Sequence, residues 1–166
     1  MYKIGDYIVK NGNGVCKVED LVHLDFDGVD KKKTYYLLVP VEDTKGRVYV
    51  PTDTTDTSVR RAMTKKDALE LLRKIPEIEE QWIVNDKLRE KKYKEVLKNN
   101  VPEELVGIIK MTYLRKMKRL EEGKRNTVVD ERYFRIAEKT LYTELGFALH
   151  MDRDEVCRMI TEYCEG

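Results

Sequence analysis

Histidine, cysteine, tryptophan and long apolar runs are what this 166-residue chain has least of. No stretch approaches the roughly 18 consecutive apolar residues that span a bilayer, and the opening MYKIGDYIVK does not read as a signal peptide. A cytoplasmic protein without membrane contact is therefore expected. The three cysteines, Cys16, Cys157 and Cys164, form no C-x-x-C pair and are odd in number, which predicts free thiols in a reducing compartment. The two histidines, His23 and His150, have no Cys, His or carboxylate at metal-ligand spacing, and no H-E-x-x-H occurs. Phosphate-cradling glycine loops are missing too. Gly12-Asn13-Gly14 lies between strand patterns and reads as a hairpin turn. Glu77, Glu79 and Glu80 form an acidic stretch in which nothing singles out an acid/base pair. This inventory predicts no enzyme and no cofactor. With 32 Lys+Arg against 31 Asp+Glu the net charge is +1, which argues against a generally basic nucleic-acid binder but leaves local patches open.

What is present falls into two textures that together predict an α+β chain. From Tyr2 to about Arg61, short β-branched and tyrosine-rich runs alternate with turn residues. Ile4, Tyr7–Val9, Val15–Val18, Tyr35–Val41 and Val48–Val50 are the strand candidates. Asn11-Gly12-Asn13-Gly14, Asp27-Gly28 and Lys45-Gly46 mark turns, because Gly and Asn tolerate the positive φ that tight turns need. Such strands suggest a small barrel or a strongly bent sheet over residues 1–62. At Thr64 the period changes. Thr64-Lys65-Lys66-Asp67 has the spacing of a helix N-cap, and Ala68, Leu69, Leu71, Leu72 and Ile75 follow at helical spacing until Pro76. A second helix is expected from about Ile78 to Leu97, ended by Asn99-Asn100. A third starts at Pro102 and stops near Gly123. Asp130 is the expected cap of a fourth helix reaching Leu149, and Asp152 of a fifth reaching Tyr163. Residues 63–166 thus read as an all-helical domain of about five helices. Nothing in the pattern demands more than a monomer.

Charge is sorted along the helical part. Lys87 to Lys98 carries six basic and two acidic residues, and Lys110 to Arg125 seven and two, whereas Asn126 onward carries five and nine. Two consecutive basic helices point to a phosphate-facing side. Trp82, the only tryptophan, stands just ahead of the first of them, at the expected start of the second helix. It is either a packing residue or an exposed ring able to stack at a disturbed base step, worth roughly 1–3 kcal/mol per base.

These residues carry a resemblance. Tyr2-Lys3-Ile4-Gly5-Asp6-Tyr7-Ile8-Val9, Gly14-Val15, Val18-Glu19, Tyr35–Val39 and Val48-Tyr49-Val50-Pro51 resemble the N-terminal module of the CarD/CdnL bacterial transcription regulators. The transcription-repair coupling factor shares that module. Trp82, Arg89, Tyr93-Lys94, Glu131, Ala137, Leu141 and Glu144-Leu145 resemble the family's C-terminal half. The resemblance implies a Tudor-like (SH3-like) small β-barrel that binds the β subunit of RNA polymerase, followed by a helical domain that contacts promoter DNA. It implies that Trp82 wedges into the upstream edge of the opening bubble and stabilises the open complex, with Tyr93, Lys94 and Arg132 at the DNA. Arg89, Lys91 and Lys92 join that set from helix position and charge, since phosphate contacts need only cations. On the polymerase side, Arg47, Val48 and Tyr49 are the expected surface. A family arginine aligns with Tyr49, for which Arg47 can substitute, and a second aligns near Leu24. The rival expectation is a protein-interaction adaptor whose helical domain never touches DNA.

Overall fold

In the computed structural model residues 1–53, 59–80 and 82–165 are described, and the chain divides into two compact units, Met1–Ala62 and Met63–Gly166. The first unit is a five-stranded, curled antiparallel half-barrel. Its strands are β1 (Tyr7–Lys10), β2 (Gly14–Val22), β3 (Tyr35–Pro40), β4 (Val48–Pro51) and β5 (Val59–Arg61), in the order β4-β3-β2-β1-β5. Strict alternation sends Ile8, Cys16, Val18, Tyr36, Leu38 and Val50 into one core, with Tyr2, Val48 and Val59 packed at its margin. Burial pushes the Cys16 thiol up to about 11. The Asn11-Gly12-Asn13 turn closes β1 onto β2, with the Asn13 N–H donating to the Lys10 carbonyl at 2.9 Å and Gly12 at φ 84°. A register shift between Val18 and Asp20 bends β2, which extends four residues past the expected strand. Ile4 lies in a turn rather than a strand, and the pattern predicts no strand at β5. Three residues, two of them arginine, carry no apolar alternation; β5 exists because its backbone pairs with β1 in the register Ile8 to Arg61.

Among its described residues the second unit has five α-helices: α1 (Lys65–Lys74), α2 (Asp86–Asn99), α3 (Pro102–Glu121), α4 (Val128–Leu149) and α5 (Arg153–Glu165). Thr64 and Asp67 form a reciprocal capping box, each side chain accepting the other's backbone N–H at 3.1 Å. Pro76 sits in a 3-10 turn, Ile75–Glu77, that ends α1. Helix α2 starts later than its apolar pattern suggests, because Asn85 caps it, its Oδ1 accepting the Leu88 N–H at 3.0 Å. Trp82 therefore precedes the helix instead of opening it. Helix α4 is capped by Thr127, not Asp130: the Thr127 Oγ accepts the Asp130 N–H at 3.0 Å, and the Asp130 carboxylate turns inward. Asn100 and His150 end α2 and α4 in the left-handed region, at φ 53° and 55°. At Gly146 an added Cβ would stand 2.7 Å from the Met151 carbonyl oxygen, so only glycine lets the chain fold this closely back between α4 and α5.

Leu71 and Leu72 of α1, Tyr93 and Val96 of α2, Leu105 and Ile108 of α3, Leu141 and Leu145 of α4, and Val156 of α5 share one core. Buried Glu144 accepts the Met63 N–H at 2.7 Å and so ties the unit's first residue to α4. No helix among the described residues is long and apolar enough to cross a membrane. Cys16 and Cys157 are free thiols, and the side chain of Cys164 lies outside the described residues.

Candidate nucleic-acid interface

The described residues between the 3-10 turn and α2 form no helix or strand, so their carbonyls need donors from elsewhere. Lys110 of α3 supplies one, its ammonium donating to the Ile78 carbonyl and also to the Ile75 carbonyl of the 3-10 turn. Arg89 supplies others, one guanidinium nitrogen reaching the Ile83 carbonyl at 3.3 Å and the Val84 carbonyl at 3.2 Å. On this pinned segment Trp82 stands 43% exposed. Two cations of α3 lie over its ring, the Arg115 guanidinium 5.7 Å and the Lys118 ammonium 5.4 Å from the centroid. Together with Val84, Arg119 and Glu122 they line an open cleft of about 200 Å³.

Behind the cleft lies a buried carboxylate. Asp130 is fully buried, and its Oδ1 accepts from the Tyr93 hydroxyl at 2.8 Å and the Arg89 Nε at 3.2 Å, while its Oδ2 accepts from the Arg115 Nε at 2.9 Å. Burial pushes the Asp130 carboxyl up, but the hydrogen bonds from Tyr93, Thr127 and Arg115 outweigh it and hold the group below the usual carboxylate range. For Tyr93, burial and the bond to Asp130 act together and raise the phenol. For Arg89, burial disfavours the cation, but the bonds to Asp86 and Asp130 prevail and raise it.

These positions bear on the expected DNA-contacting set. Arg89 is only 3% exposed and Tyr93 is fully buried, so neither reaches a phosphate while Asp130 holds it. The remaining expected cations lie on the surface, most of them beside carboxylates. Lys92 lies 3.9 Å from Glu95, and Lys94 and Arg132 share Glu90 at 3.8 and 3.6 Å, while Lys91 is exposed. The residues that do gather around Trp82 are Arg115, Lys118 and Arg119. Their signal was present as the surplus of Lys110 to Arg125, at the i, i+3 and i, i+4 spacing that shares a helix face. Asp130 carried no such signal, because a carboxylate near a helix start reads as a cap.

In the sheet unit, β4 is one edge. Tyr49 projects away from the core, 41% exposed and opposite Leu37, whereas Val48 packs against the core. Alternation along β4 thus sets Tyr49 and Val48 on opposite faces of the strand, with Val48 half-buried. Arg47 precedes the strand and folds back on its turn, donating to the Thr44 and Gly46 carbonyls at 3.0 and 2.8 Å. Leu24 is half-buried in the connection after β2. Among the described residues, no three His, Cys, Asp or Glu side chains converge as a metal-ligand set.

The family model of the CarD-like/TRCF RID domain matches residues 2–63. Domains of this family are protein-interaction modules that interact with the β subunit of RNA polymerase. No curated protein matches the chain. The curled sheet and the residues that build it agree with that match, and residues 2–63 are similar to the CarD-like/TRCF RID domain.

Proposed function

We propose that the chain docks on the RNA polymerase β subunit through its sheet unit and brings the Trp82 cleft to promoter DNA at the upstream edge of the bubble, where it stabilises the open complex. The polymerase half of this reading is supported by the family match over residues 2–63. The DNA half rests on one observation: the half-exposed Trp82 ring lies among the cations Arg115 and Lys118. An aromatic face next to cations suits an unstacked base beside its phosphates. Tethering to polymerase raises the local concentration of the helical unit, so weak intrinsic DNA affinity suffices.

The test is Trp82→Ala in a polymerase–promoter complex. Polymerase binding should survive, the melting temperature should change little, and the open complex should decay faster. A fully buried aromatic would cost about 3–5 kcal/mol on truncation; a half-exposed one should cost well below that. An unchanged open-complex lifetime would remove the wedge role.

A second reading, in which the helical unit binds another protein, draws on a cleft of about 190 Å³. Val96, Gly107, Ile108 and Met111 line it beside Glu79 and Glu103. Salt separates the two. Neutralising Lys118 and Arg119 to Gln should weaken DNA binding across sequences and flatten its dependence on salt, because fewer phosphates are neutralised and fewer counterions leave the DNA. Salt-insensitive binding would favour the protein-binding reading.

A further inference from the structure

We propose that the cluster of buried Arg89 and Asp130 with the partly exposed Arg115 is a positioning clamp that holds Trp82 ready in the free protein. The inference rests on the DNA reading above and adds Arg89 and Asp130, which are buried and themselves contact no DNA. Trp82 belongs to a segment whose described residues form no helix or strand, and a side chain there would ordinarily sample many orientations, each of which must be lost on binding.

Two arms limit it. The first acts on the backbone: Arg89 donates to the carbonyls of Ile83 and Val84, the two residues after Trp82. The second acts on the ring: Arg115 lies over the indole with its guanidinium carbon 5.7 Å from the centroid. Both arms end on one carboxylate, with the Arg89 Nε on Asp130 Oδ1 and the Arg115 Nε on Oδ2. Tyr93 fixes that carboxylate through its hydroxyl at 2.8 Å, and Asp86 takes another Arg89 nitrogen at 2.8 Å. Three secondary elements thus meet at Asp130: α2 through Arg89 and Tyr93, α3 through Arg115, and α4 through Asp130 itself.

The chemistry of arginine explains why lysine would not serve. A planar guanidinium can donate sideways to a carboxylate and still present its face to an aromatic ring. An ammonium at position 115 keeps the charge and gives up one of these two interactions.

Arg115→Lys in the full-length protein therefore separates positioning from charge. The number of cations is unchanged, so the salt dependence of DNA binding should match the parent. Acrylamide quenching of Trp82 emission in the free protein should rise, because the ring is released. The open-complex lifetime should fall roughly threefold to tenfold, the range expected when one immobilised side chain must be ordered on binding. Arg89→Lys tests the backbone arm by the same two readings. Where Arg89→Lys melts early, Arg115→Lys decides alone, since Arg115 keeps part of its side chain in solvent. Quenching and lifetime both equal to the parent in Arg115→Lys would overturn the clamp and leave Arg115 as a phosphate cation. Loss of the DNA reading itself has a different signature: Trp82→Ala would leave the lifetime unchanged, and the quenching comparison would still decide the clamp.

Discussion

Asp130→Ala should cost the helical unit roughly 3–5 kcal/mol, the penalty for removing one partner of a buried charge network. For a unit of this size that corresponds to a melting temperature lower by at least about 12 °C. The size follows from what is left behind. Arg89 is 3% exposed, and without Asp130 it keeps only Asp86 and two backbone carbonyls for its charge. The Tyr93 hydroxyl loses its acceptor in the same stroke. The pH dependence has a definite sign. Because the folded carboxyl titrates below its unfolded value, about 3.9, its stabilisation is fully present above that pH. It is lost as the pH falls through the folded value. Thermal melts followed by circular dichroism should show that acid-dependent loss in the parent below about pH 4, and Asp130→Asn should lack this component. An unchanged melting temperature in Asp130→Ala would mean that the network is not a source of stability.

Arg47→Glu combined with Tyr49→Ala should abolish capture of the isolated RNA polymerase β lobe while leaving the helical unit folded. Tyr49 projects outward from the edge strand β4, and exposed aromatic and arginine side chains are the types that dominate interface energetics. Truncating one such anchor costs about 2 kcal/mol or more, and reversing a charge beside it adds repulsion, so affinity should fall at least about 30-fold. Val50, 4% exposed, holds the strand to the core and is untouched by either change. Trp82 emission and the melting of the helical unit should match the parent, because both substitutions lie in the other unit. Affinity equal to the parent would place the docking surface elsewhere on the sheet.

Local signals determined much of the architecture. The Thr64–Asp67 capping box, the stop at Pro76, the left-handed Asn100 and the Asn-Gly turn between β1 and β2 act over three or four residues, and the chain alone specifies them. Period-2 alternation was enough to separate Tyr36 and Leu38 from the residues between them, and period 3.6 to find the inward faces of the helices. Tertiary structure decided the rest. Strand β5 has no apolar pattern and exists through its pairing with β1. Arg89 and Tyr93 sit in a run of lysines and read from the sequence as DNA-facing, but a carboxylate 37 to 41 residues away draws both inward. Asp130 looks like a cap until Thr127 takes that place and three donors converge on it. Trp82 and Arg115 are 33 positions apart, and only the packing around Asp130 brings their side chains together. Spacing along a chain encodes contacts within one turn or one hairpin; a charge network joining three helices depends on how those helices pack, and no local period records it.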